Sequence, residues 1–266
     1  MPPSSPPLQS VLDPFVESFG GELVSGLVPT QHPQPEQADY LFREHGVIAE
    51  LKALEVDSFG EAYSRKLGEL THDWMRRGLM LVYGRARIEM HRLHRICQNE
   101  WMEVLTEPLQ KKVVAKANRQ LRQTAELLNM PSAKGVLWVA SDGNLDLQPH
   151  DVWRLIGRIL RKKNEDGSRQ YSSIDGVIYF NPRTPVRVPG SPDAGMLWVS
   201  HARDDDPALL AFFEALSNAW ADHLRTKAAA QGQTFTQFAS PPDMSAFRFY
   251  GSRPTLPRAT ASPKTK

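Results

Sequence analysis

Asp39, Glu50 and Lys52 are the residues of this 266-residue chain whose types and spacing could do chemistry together. They belong to the stretch ADYLFREHGVIAELK, residues 38–52. On a strand, residues two apart share a face, so Glu50 and Lys52 project one way while Val47, Ala49 and Leu51 line the other. Charges on an otherwise apolar strand are costly unless that face is a site. If REHG closes a hairpin with an even number of loop residues, Phe42 pairs with Val47 and Asp39 lands opposite Glu50. Two carboxylates would then stand about 5 Å apart at Cβ, where like charges repel unless a cation lies between them. Hard oxygen ligands with open positions favour Mg²⁺ or Mn²⁺ over zinc. Lys52 beside that ion could orient a water and steady negative charge developing on a phosphorus-bound oxygen. The chemistry expected is hydrolysis of a phosphodiester by in-line attack of water. On an exposed face, the same residues would be only a solvated pair and a strand-start aspartate.

Several elements must position these groups. Residues 9–19 space Val11, Leu12, Phe15, Val16 and Phe19 as a helical stripe, with Asp13 as N-cap ahead of Pro14. GELVSGLVP reads as a short strand, and ADYLF and VIAELKAL as a hairpin across REHG. Residues 58–105 read as a helical insertion, opened by Ser58 and Glu61 as a capping box. A further helix is expected from Thr106 to Asn129, with Pro108 in its first turn. KGVLWVAS, SSIDGVIYF and AGMLWVSH read as strands, PHDVWRLIGRILRKK as an amphipathic helix, and Asp206-Pro207 as the start of a last helix. Proline-rich residues 1–7 and the Pro/Ser/Thr/Ala-rich stretch 231–266 read as tails, disordered for the most part. Phe235, Phe238, Phe247, Phe249 and Tyr250 could let part of the latter dock. One domain over 8–230 is expected, an α/β sandwich of three layers with helices on both faces of a mixed sheet.

Asp39, then ten residues, then Glu50-x-Lys52 at the end of an apolar strand resembles the PD-(D/E)xK phosphodiesterase superfamily, the restriction-endonuclease-like nucleases. The order helix, strand, hairpin, helix, strand is similar to that superfamily's core, over residues 9–57 and again over 106–141. The resemblance implies a restriction-endonuclease-like sandwich, Mg²⁺ (or Mn²⁺) at Asp39 and Glu50, and a catalytic Lys52. It also implies that an acidic residue of the first helix joins the metal shell, with Glu17 the nearest candidate and Glu22 behind it, and that Gln120 belongs to the site. Ala38 stands where the family carries proline, and Thr124 where relatives with the glutamine motif carry tyrosine. The competing reading is a catalytically inactive nuclease-fold module that binds nucleic acid or protein.

Composition sets outer bounds. Lys and Arg total 32 against 30 Asp and Glu, a net charge of +2, too mild for a polybasic protein, so nucleic-acid contact must come from local clusters. Two arginine-rich groups are candidates for the phosphate backbone: Arg76, Arg77 and Arg85 in the insertion, and Arg154, Arg158 and Lys162 at helical spacing. The expected partner is nucleic acid, DNA before RNA, with a homodimer or partner proteins of a larger system left open. The single cysteine, Cys97, excludes an intramolecular disulfide and points to a reducing, cytoplasmic setting. No apolar run approaches the ~20 residues of a membrane span. His91, His94 and Cys97 step by three along a helix and read as packing or phosphate contacts before metal ligands. Asp142-Gly143-Asn144 reads as a turn, and Asp204–Asp206 as a helix N-terminus. Walker and Rossmann glycine patterns and serine-hydrolase elbows are missing.

Overall fold

The computed structural model describes residues 7–27, 36–54, 61–82, 92–143, 147–187, 194–235 and 244–249. Six strands form the main sheet: β1 (Glu22–Leu23), β2 (Tyr40–Phe42), β3 (Val47–Leu54), β4 (Lys134–Ser141), β5 (Gly176–Phe180) and β8 (Trp198–Ala202). Their spatial order is β1-β2-β3-β4-β5-β8. β3, β4 and β5 run parallel, while β2 is antiparallel to β3, β1 to β2, and β8 to β5. β6 (Val186–Arg187), β7 (Ala194–Gly195) and β9 (Arg248–Phe249) make a separate small sheet.

Strand periodicity divides the core between the two faces. On one, α1 (Leu8–Ser18) and α7 (Pro207–Ala230) pack Leu12, Phe15, Val16, Phe212, Leu216 and Trp220 against Tyr40, Phe42, Val47 and Trp138. On the other lie α3 (Glu61–Arg76), α4 (Arg95–Leu109), α5 (Ala115–Leu127) and α6 (Pro149–Leu160). Their Trp74, Leu105, Leu121 and Ile156 meet Leu41, Ile48, Leu137 and Val139. The molecule is therefore α/β, with a mixed sheet and helices compatible with three layers. Among the described residues, no helix is long and apolar enough to cross a membrane.

Several boundaries differ from those read in the sequence. α1 begins at Leu8 and carries Pro14 inside it. Burial of Leu8 and Leu12 extends the stripe of Phe15 and Val16 backwards and offsets the hydrogen bond the proline removes. Only Glu22–Leu23 of GELVSGLVP is strand; α2 (Val24–Leu27) is a single helical turn. No helix starts at Thr106, because α4 runs through Pro108 into a π-helical turn, Gln110–Val114, and on into α5. The Thr106 hydroxyl donates back to Met102 O at 2.9 Å instead of capping a new helix. AGMLWVSH is divided between β7 and β8. Within 231–266, Phe247 and Phe249 are buried and Arg248–Phe249 pairs with β6, so that part docks. Ser58, Arg85, His91 and Asn144 lie outside the described residues, as do 1–6, 236–243 and 250–266.

Candidate active site

The hairpin has the register that places the carboxylates together. Phe42 pairs with Val47, Leu41 with Ile48 and Tyr40 with Ala49. One step further along that register sets Asp39 opposite Glu50, and the Asp39 amide donates to Ala49 O at 3.2 Å. The turn is a short 3₁₀ segment, Arg43–His45, closed by Gly46 at φ 60°, a left-handed conformation that glycine adopts without a Cβ clash.

Four of the five catalytic residues expected from the sequence meet here. Lys52 Nζ donates to Glu50 Oε1, and to Gln120 Oε1 at 2.7 Å. The Gln120 amide is itself fixed, its Nε2 donating to Gln37 O at 3.0 Å. Asp39 Oδ2 accepts from the Leu51 amide at 2.8 Å, and Oδ1 from Gln9 Nε2 at 2.8 Å. Glu50 is 1% exposed, and its Oε2 is buried with no hydrogen-bond partner. Burial, and after it the Asp39 carboxylate, push the Glu50 carboxyl up to about 8, while Lys52 pulls the other way. Burial also raises Asp39, against the stabilising Leu51 amide. Although the Lys52 ion pair favours an ionised Glu50, desolvation and a facing carboxylate outweigh it, so the pair holds a proton unless another cation replaces it.

Glu17 does not join them. It lies exposed on α1, and the α1 side chain that reaches Asp39 is Gln9. Nothing in the sequence marked Gln9, because reading the helix from Asp13 left it outside α1. Thr124 was visible only as a departure from a family pattern. Its fully buried hydroxyl accepts from the Ala38 amide at 2.7 Å and anchors the residue before Asp39. Among the described residues, no three His, Cys, Asp or Glu side chains gather in a group that could hold a metal ion. Any ion here would rest on Asp39 and Glu50, a donor set that suits Mg²⁺, which keeps several waters and binds one or two carboxylates plus substrate phosphate. The buried, unsatisfied Glu50 oxygen fits such an occupant.

The basic residues read as phosphate contacts are largely engaged with acids of α3 and α4. Arg76 pairs with Asp73 at 2.6 Å, and Arg77 holds Glu100 at 2.8 and 3.0 Å. Arg158 and Lys162 both reach Glu103, at 3.1 and 3.2 Å. Arg77, Arg158 and Lys162 tie the end of α3 and α6 to α4, and only the exposed Arg154 of this described set lacks an acidic partner. His94 caps α4, its Nδ1 accepting from the Ile96 amide at 3.3 Å, and Cys97 is buried in the core. Asp142 pairs with Arg183, and Asp206 caps α7. No family model, curated protein or solved structure matches this chain.

Proposed function

We propose that this chain is a metal-dependent nuclease of the restriction-endonuclease-like class, hydrolysing phosphodiester bonds in DNA or RNA. The observation that carries the reading is the meeting of Asp39, Glu50 and Lys52 on one face of a hairpin, with one carboxylate oxygen left unsatisfied. The order α1, β1, hairpin, then α5 and a β4 parallel to β3, supports the fold assignment.

Asp39 and Glu50 would hold Mg²⁺ (or Mn²⁺), which supplies a Lewis acid and lowers the pKa of water. The Leu51 amide and Gln9 fix the two oxygens of Asp39, so that carboxylate is oriented before any ion arrives. An ammonium has three donors; Lys52 commits two, to Glu50 and Gln120. The third remains for a water or a phosphate oxygen, where its charge steadies the charge that builds in displacement.

The test is cleavage of DNA and RNA with Mg²⁺ present. Lys52→Ala is expected to abolish cleavage while keeping the wild-type circular dichroism spectrum, and Asp39→Asn to lose the rise in melting temperature that Mg²⁺ gives the wild type. Undiminished cleavage by Lys52→Ala overturns the mechanism. If Mg²⁺ stabilises neither the wild type nor Asp39→Asn and the wild type cuts neither substrate, the inactive binding module is the better reading.

A further inference from the structure

We infer that the exposed edge of α5 and the turn before it, formed by Lys112, Lys116 and Arg119, is the track along which the phosphodiester backbone of DNA reaches the Asp39–Glu50–Lys52 site, and that Glu36 stands where a substrate phosphate would bind. The inference rests on the nuclease reading and assigns its substrate a surface the sequence did not suggest.

Three observations carry it. The first is placement. Lys112 and Lys116 are four residues apart, Arg119 follows three later, and Gln120, which holds Lys52, is next. Side chains three and four apart on a helix are neighbours, so the cations form one row ending beside the site. The second is availability. Lys112 and Lys116 are exposed and have no ion-pair partner among the described residues, whereas neighbouring Lys111 is tied to Glu107 at 2.7 Å. Arg76 and Arg77, at the end of α3, are matched by Asp73 and Glu100 and offer a polyanion less uncompensated charge.

The third is the acid at the end of the row. Glu36 accepts from Arg119 at 2.6 Å, and both side chains are about half exposed. The Arg119 hydrogen bond holds the Glu36 carboxyl below the usual carboxylate range, and the charges of Arg119, Lys116 and Lys52 act in the same direction. One exposed carboxylate thus sits in the combined field of two row cations and the catalytic lysine. Arg119 Nε also donates to the same Glu36 oxygen at 2.8 Å; an exposed carboxylate pair is weak and open to exchange, while a phosphate can accept two guanidinium bonds on separate oxygens and with more charge. Glu36 is the group a phosphate would displace, and until then it screens the row from the site.

The experiment measures anisotropy of a labelled DNA duplex against the full chain in EDTA, over a range of salt. Each lost phosphate contact lowers the slope of log affinity against log salt by about 0.9, so Lys112→Ala/Lys116→Ala is expected to lower it by roughly 2 and to weaken binding at low salt. Glu36→Gln is expected to tighten binding, because it removes a competing anion and keeps the shape. The Mg²⁺-dependent rise in melting temperature of the lysine double variant should match the wild type, showing that fold and carboxylate pair are intact. An unchanged slope in that variant, or wild-type binding that does not depend on salt, overturns the track. Loss of cleavage in Lys52→Ala together with an unchanged slope would leave the nuclease standing and the track refuted; a lowered slope without any cleavage would do the reverse.

Discussion

Glu50 is the residue whose chemistry is most constrained by its surroundings. Its folded pKa of about 8 lies above the ordinary carboxylate value because burial and Asp39 disfavour the anion. Between those two values, the folded chain keeps a proton that the unfolded chain has released. Stability tied to that proton is therefore complete below the unfolded pKa and lost as pH rises to about 8. Each unit of difference is worth ~1.4 kcal/mol, enough to move the melting temperature of a chain this size by several degrees. The metal-free protein is expected to melt lower at pH 8 than at pH 5, and Glu50→Gln, which needs no proton, to flatten that dependence. Mg²⁺ should reverse the loss at pH 8, where both acids can ionise around it. Scanning calorimetry across that range checks the sign, and a wild-type melting temperature that climbs from pH 5 to 8 would contradict it.

At the scale of elements, α5 does two things for the hairpin: Gln120 holds Lys52, and Thr124 holds the backbone ahead of Asp39. Removing a buried hydroxyl acceptor strands the Ala38 amide, which costs ~1–3 kcal/mol. Thr124→Val should therefore lower stability by that order and weaken the Mg²⁺ response, whereas Thr124→Ser, which keeps the oxygen, should restore both. A Val variant that is destabilised yet keeps the wild-type Mg²⁺ dependence would make Thr124 a packing residue and nothing more. Such contacts also show which parts of the molecule could be read in advance. The facing of Asp39 and Glu50 was legible because strand side chains alternate strictly and a four-residue turn fixes register. β4 was legible from end to end as a continuous apolar run. Gln9 and Thr124 were not, since each acts across 30 residues or more and its role depends on how layers dock. Pro14 and Pro108 marked helix starts by local rules, yet both sit inside helices whose buried faces outweigh the missing bonds. The ion pairs of the arginine clusters were hidden for a related reason: Glu100 and Glu103 are in plain view on α4, but only the packing of α3 and α6 against it brings them into pairing distance.

On the scale of the whole molecule, the sheet separates two apolar clusters, and the candidate site is where the layers communicate. Ile178 belongs to the cluster under α1 and α7, and Ile156 to the one under α4 and α6. Ile→Val at either should cost ~0.5–1.5 kcal/mol, and the two costs should add within about 0.5 kcal/mol, because no side chain is shared between them. The site behaves otherwise. Gln9 comes from the α1 layer and Gln120 from the α5 layer, and both act on one charge network, through Asp39 and through Lys52 to Glu50. Groups in a common network couple by ~0.5–3 kcal/mol. The Mg²⁺-dependent gain in unfolding free energy is thus expected to fall in Gln9→Ala and in Gln120→Ala, and to fall by less than their sum in the double variant, since either loss already frees the network the other was holding. Denaturant titrations with and without Mg²⁺ give all four corners of that cycle. If the two glutamines prove as independent as the two isoleucines, Asp39 and the Glu50–Lys52 pair are not one site, and a single ion held between the layers is the wrong description of this fold's chemistry.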